Sequence, residues 1–195
     1  RGVKSLFTLD EGSAIIADAP IIKGPAIMIA VAEKGYATLR VTAKAPGGHS
    51  SMPPEEIGTI TLAKAITAIH ANQFPARLDQ PAFGTVEALA AEKGGLMKMV
   101  AANPWLFGGL IKAQMGGSPA GAAQLHTTIA PTMLQGSPKE NVLPQEAFGL
   151  INYRLAPWDR SADVLARAKQ AVGKLPVTFS WERIPREASP VSSTT

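Results

Sequence analysis

Gly47-Gly48-His49-Ser50-Ser51-Met52-Pro53-Pro54 is the stretch of this chain best placed to do chemistry. An imidazole can give or take a proton near neutral pH, or offer an N–H to developing negative charge. His49 follows a strand-like alternation from Tyr36 to Lys44, ended by Pro46 and two glycines, and precedes a helix opened by Pro53-Pro54-Glu55-Glu56. It therefore sits at a strand-to-helix corner, from which a side chain can reach beyond its own domain. Such corners carry function more often than helix faces do; the alternative is an exposed loop histidine. His70 follows a helical run and His126 precedes a strand, and neither has a carboxylate or histidine at metal-ligand spacing, so both read as structural. On residue type alone Arg154 is a surface strand residue, and Asn141 a turn residue before Val142-Leu143-Pro144. Glu55-Glu56 suits the positive end of a helix dipole better than the part of a base. Cysteine is absent, which removes disulfides, thiolate zinc ligands and a cysteine nucleophile together. Gly94-Gly95 and Gly116-Gly117 fit no phosphate loop.

The elements that must position His49 follow from periodicity. Val3 to Leu9 reads as a short strand ending in Asp10-Glu11-Gly12, and Ile27 to Ala32 as a second, too little to make a sheet alone. From Gly35 onward the pattern becomes self-contained. A strand near 36–45 is followed by a helix from about Glu55 to Asn72, in which Ile57, Ile60, Leu62, Ala63, Ile66 and Ile69 repeat at helical spacing. Residues 84–126 read as an insertion of short helices broken at Asn103-Pro104, Gly108-Gly109 and Gly116-Gly117-Ser118-Pro119. Its Trp105-Leu106-Phe107 and Met97, Met99 and Met115 read as core, with an apolar substrate channel as the alternative. Thr127 to Leu134 and Glu146 to Leu155 are strands, the latter with Ala147, Gly149, Ile151 and Tyr153 on one face. Ser161 caps a helix to about Gly173, and Val177 to Ile184 is the last strand. The order strand, helix, strand, strand, helix, strand predicts an α+β fold: a ferredoxin-like four-stranded antiparallel sheet with two helices on one face, plus the helical insertion.

At 195 residues and 46% hydrophobic, the chain can bury one good core, or one domain and a fragment of another. The longest uncharged apolar run, Gly24 to Ala32, is far shorter than the roughly 20 residues of a membrane span, so a soluble protein with no membrane partner is expected. A net charge of +4, with lysines and arginines dispersed, argues for no nucleic-acid partner. The opening Arg1-Gly2-Val3-Lys4 has neither initiator methionine nor signal-type segment and reads as part of a longer protein; the polar tail from Ser189 reads as a frayed end.

Leu9-Asp10-Glu11-Gly12, Glu33-Lys34-Gly35, Gly48-His49-Ser50-Ser51-Met52-Pro53-Pro54, Asn141-Val142-Leu143-Pro144, Asn152-Tyr153-Arg154-Leu155-Ala156-Pro157 and Ser189-Pro190-Val191-Ser192-Ser193 occur in this order. Together they resemble the M20 metallopeptidases, especially the carboxypeptidase S and fatty-acyl amino-acid hydrolase branch. The resemblance implies a two-zinc catalytic domain interrupted by a lid domain that forms a homodimer. Residues 1–33 would then belong to the catalytic domain, 34–184 to the lid with its insertion at about 84–126, and 185–195 to the catalytic domain again. Asp10 resembles a ligand of one of the two zinc ions, and the family's other ligands have no counterpart here. His49 resembles the lid histidine that crosses into the partner subunit's active site, where its N–H can meet the oxyanion of amide hydrolysis. Arg154 resembles the clamp on the substrate's terminal carboxylate, and Asn141 its companion in substrate binding. The implied activity is zinc-dependent hydrolysis of a peptide or N-acyl amino-acid amide bond beside a free carboxylate, with these residues inactive alone. Two other readings stand beside it: a homodimerisation module without catalytic role, and an RNA-binding domain suggested by Lys34 to Val41. The latter lacks stacking rings at Thr38 and Val41, leaving only Tyr36.

Overall fold

The computed structural model describes residues 14–19 and 24–193. In chain order the strands are β1 (Ala14–Ala19), β2 (Gly24–Met28), β3 (Gly35–Lys44), β4 (Gly48–His49), β5 (Thr128–Gln135), β6 (Val142–Leu143), β7 (Glu146–Leu155) and β8 (Val177–Trp181). The helices are α1 (Gly58–Ala71), α2 (Ala82–Lys93), α3 (Gly95–Ala102), α4 (Pro104–Gly116), α5 (Pro119–Leu125) and α6 (Ser161–Val172).

Alternation makes β3 and β7 two-faced. Ala37, Leu39, Val41 and Ala43 are buried on one side, as are Ala147, Ile151, Tyr153 and Leu155 of β7. The two strands pair antiparallel over their whole length, from Gly35↔Leu155 to Lys44↔Glu146. Adding β5 and β8 at the edges gives one four-stranded antiparallel sheet in the order β5-β7-β3-β8. Helices α1 and α6 cover the apolar face through Leu62, Ala65, Ile66 and Ile69, and through Val164, Ala168 and Val172. Each fully buried Leu, Ile or Val among them contributes about 1.5–3 kcal/mol relative to exposure. Arg167 fastens the two helices: its guanidinium donates to Asn72 Oδ1 at 3.0 Å and Gln73 O at 2.7 Å, and lies 4.6 Å from the Phe74 ring centroid.

Several expected boundaries move, each for a local reason. Helix α1 begins at Gly58, with Ile57 extended at the cap position, so Glu55 and Glu56 precede the helix and do not sit in its first turn. Pro54 keeps Pro53 extended, and Gly58 lies against Ala43 and Ala45, which fixes where the helix starts. Ser161 is the first helical residue and not the cap. The residue at the cap position is Arg160, whose N–H donates to Asp163 Oδ2 at 2.8 Å, while Ser161 Oγ donates to Glu187. Strand β8 stops at Trp181, short of the exposed Ile184. The insertion breaks at Asn103 and near Ser118 as expected, but α4 runs unbroken through Gly108-Gly109. A further break falls at Gly94-Gly95, both at positive φ. Trp105 is 82% exposed, and Leu106 and Met99 are exposed too, which overturns the core reading of those three; Phe107, Met97 and Met115 are half-buried. The span 14–19, read as connection, is β1, paired antiparallel with β2, which itself begins and ends earlier than the expected 27–32. The expected strand at 3–9 lies outside the described residues.

Two chain segments meet where β3 begins. Tyr36 and Arg186 exchange backbone hydrogen bonds at 2.7 and 2.9 Å, Ser189 N–H donates to Glu33 O at 2.9 Å, and Ser192 N–H to Val31 O at 2.7 Å. Gly35 permits this approach: a Cβ there would stand 2.6 Å from Arg186 O and 2.7 Å from Ala188 N, closer than atoms can pack.

Candidate functional site

The corner after β3 is built by Pro46, Gly47 and Gly48. The two glycines take φ of 72° and 143°, values that side chains avoid, and turn the chain back beside the segment before β7. There Gly48 pairs with Leu143 and His49 with Val142, and Ser50 N–H donates to Asn141 O at 3.1 Å. This short ribbon brings His49 and Asn141 together at one end of the sheet, both exposed. The His49 ring is held by Ser51, whose Oγ lies 2.8 Å and whose N–H lies 3.2 Å from Nδ1.

Arg154 is elsewhere. It projects from β7 between its register partners Tyr36 of β3 and Thr128 of β5. From Tyr36 to Lys44, beside which the His49 corner begins, β3 runs eight residue steps, roughly 26 Å at the rise of an extended strand. Its guanidinium donates to Glu33 Oε1 at 2.8 Å and lies 5.8 Å from the Tyr36 ring centroid. Glu33 comes from the segment that meets Arg186 and Ser189. Beside it, Lys34 turns inward, and Nζ donates to Ala123 O at 2.7 Å and His126 O at 2.8 Å, tying the end of the helical insertion to the start of β3. Burial lowers the Lys34 ammonium to a pKa of about 8, helped by the Arg154 charge and opposed by Asp159.

Sequence reading singled out His49, Asn141 and Arg154, but not that the first two share one end while the third stands at the other. Glu33 stands in the Glu33-Lys34-Gly35 motif, but its pairing with Arg154 is not readable from the sequence, because the two are 121 residues apart. Asp10 lies outside the described residues. Among those described, no three His, Asp or Glu side chains lie together as a metal site, so this part of the chain does not fit a two-zinc centre. No described helix is long and apolar enough to cross a membrane.

A family model, the peptidase dimerisation domain of M20 enzymes, matches residues 31–179. The chain belongs to the M20 peptidase dimerisation domain family. This M20 domain is 37% identical over 175 residues to the N-fatty-acyl-amino acid synthase/hydrolase PM20D1.1 of Danio rerio, covering 88% of this chain and 34% of that protein. Against the human N-fatty-acyl-amino acid synthase/hydrolase PM20D1 the identity is 35%, covering 92% and 36%. Against the probable carboxypeptidase S-like 2 of Dictyostelium discoideum it is 30%, covering 97% and 37%. The M20 domain thus spans about a third of the length of these relatives, all named as hydrolases or carboxypeptidases. Among solved structures, the M20 family metallo-carboxypeptidase Sso-CP2 of Sulfolobus solfataricus gives a TM-score of 0.47 at 14% identity, covering 80% of this chain and 45% of that one.

Proposed function

We propose that this chain is the lid and dimerisation portion of a zinc-dependent M20 carboxypeptidase or amidohydrolase. The whole enzyme would cleave a peptide or N-acyl amino-acid amide bond beside a free carboxylate. Residues 34–184 form the lid, and residues 1–33 and 185–195 belong to a catalytic domain that supplies the zinc ligands, Asp10 among them. We read the sheet order and the helices after its first and third strands as ferredoxin-like. In this reading the domain alone is inactive.

The separation of Arg154 from His49 and Asn141 carries the proposal. A single small substrate cannot touch both ends of one sheet. Strand β5 is an open edge bearing the exposed Met133 and Leu134, and two such edges pair antiparallel about a two-fold axis. That operation reverses the second sheet end for end, so the partner's His49 and the partner's Asn141 come to the end where Arg154 stands. Amide cleavage passes through an oxyanion that preorganised N–H donors stabilise, a role for His49, while the planar guanidinium of Arg154 grips a carboxylate. Glu33, now bonded to Arg154 at 2.8 Å, stands in for that substrate carboxylate.

The test mixes two inactive variants of the complete enzyme, His49→Ala and Arg154→Ala. Each alone is expected to lose about 10²–10³-fold in kcat/KM. Mixed subunits should regain about a quarter of the wild-type activity, because half the dimers then carry one intact site. No recovery on mixing would place both residues in the same subunit's site and end the proposal.

A further inference from the structure

We propose that Ser51 is a positioning residue that fixes the His49 imidazole as the Nε2–H tautomer, aiming its one N–H outward. The inference rests on the reading of His49 as a hydrogen-bond donor in catalysis, and it concerns how the donor is made ready.

A neutral imidazole has one N–H and one lone pair, and only the ring nitrogen carrying hydrogen can donate to an oxyanion. Which nitrogen carries it follows from what the other one accepts. Ser51 places two groups on Nδ1, its hydroxyl at 2.8 Å and its backbone N–H at 3.2 Å. The backbone N–H can only donate, and with Nδ1 held as an acceptor the Ser51 hydroxyl turns its O–H to the ring as well, so each adds to the bias and the hydroxyl's share is what Ser51→Ala removes. Nδ1 must therefore present its lone pair, and the proton resides on Nε2. That nitrogen has no hydrogen-bond partner among the described residues. The Nδ1–H tautomer would set two N–H groups against each other and point a lone pair at the substrate oxyanion.

The backbone holds Ser51 where it can do this. Met52 N–H donates to His49 O at 3.1 Å, closing a tight turn over residues 49–52, and Ser50 N–H is tied to Asn141 O at 3.1 Å. The ring is thus anchored through residue 51 while the chain beside it is anchored to the Asn141 segment. This is the reverse of the arrangement in which a carboxylate or carbonyl accepts from Nδ1–H and frees the Nε2 lone pair: here the Ser51 donors occupy the Nδ1 lone pair and leave the proton on Nε2.

The experiment uses the complete enzyme with 15N-labelled histidine, and spectral subtraction of His49→Gln assigns the ring. Long-range 15N–1H correlation at a pH where the imidazole is neutral should show Nε2 protonated and Nδ1 bare. Ser51→Ala should raise the Nδ1–H population and lower kcat about fivefold, the net worth of one neutral hydrogen bond, with KM unchanged. Ser51→Thr should restore both. Sedimentation as a dimer and an unchanged melting temperature show that the variants fold. A proton on Nδ1 in the wild type, or a Ser51→Ala enzyme with unaltered tautomer ratio and kcat, overturns the proposal. A shifted tautomer with unaltered kcat would leave the Ser51 contact standing and instead remove His49 from the catalytic reading.

Discussion

At the scale of single residues, the pair Arg154–Glu33 has a definite worth in the proposed enzyme. Both side chains are solvent-accessible, so their mutual attraction is modest in stability. Its effect on binding is larger, because a substrate carboxylate must displace Glu33 before Arg154 can grip it. Glu33→Gln is therefore expected to lower KM for a carboxylate-bearing substrate about 3-fold in steady-state kinetics, with the melting temperature nearly unchanged, since an exposed ion pair is worth about 0.2–1 kcal/mol. Arg154→Lys should raise KM, since an ammonium cannot reproduce the two-pronged fit; equal KM values for Lys and Arg at this position would remove Arg154 from substrate binding. The corner that carries His49 was legible because its signal is local, with glycines and prolines flanking it on both sides. The partner of Arg154 was not, because it lies 121 residues away in the chain and only the register of β3 with β7 brings them together. The alternation that exposes Tyr36 turns Val41 under the helices, so Val41 could not have stacked on a base in any RNA-binding reading.

Elements are held by a few polar fasteners. Arg167 joins α6 to the end of α1, and Arg167→Leu should cost about 1–3 kcal/mol in chemical denaturation by stranding the Asn72 and Gln73 carbonyls. Lys34 joins the insertion to β3 and adds a dependence on pH. The unfolded chain holds the Lys34 proton more tightly than the folded one, whose value is lowered to about 8. Folding therefore expels that proton above pH 8, and stability rises with pH from there toward the ordinary lysine value. Lys34→Met should abolish this rise, read as the difference between wild-type and variant denaturation midpoints at pH 7.5 and 10. Strands β3 and β7 were readable nearly to the residue because their alternation is intrinsic to the segment. The start of α1 was not, since contact with Ala43 and Ala45 sets it. Nor was the continuity of α4, where the helix absorbs about 1 kcal/mol for each glycine.

For the whole molecule, the open β5 edge predicts that Met133→Lys with Leu134→Lys converts a dimer to monomer in sedimentation velocity, with far-UV circular dichroism preserved. A dimer that survives both charges would place the contact on another surface. Ile15 of β1, Ile27 of β2, and Trp105 and Leu110 of α4 stand exposed and were unreadable as such, because pattern gives the face of an element but not what lies opposite it. Gly35→Ala should cost about 1–3 kcal/mol and loosen the paired segments beside it, measured as faster amide exchange at Tyr36 and Arg186. Those segments, 31–36 and 186–192, run side by side and are cross-linked through their backbones. A single tether would let the bodies it joins swivel freely. If the lid and catalytic parts divide here as proposed, a doubled, bonded ribbon would resist torsion and bend about one axis, confining the lid to swing like a door leaf along a single arc.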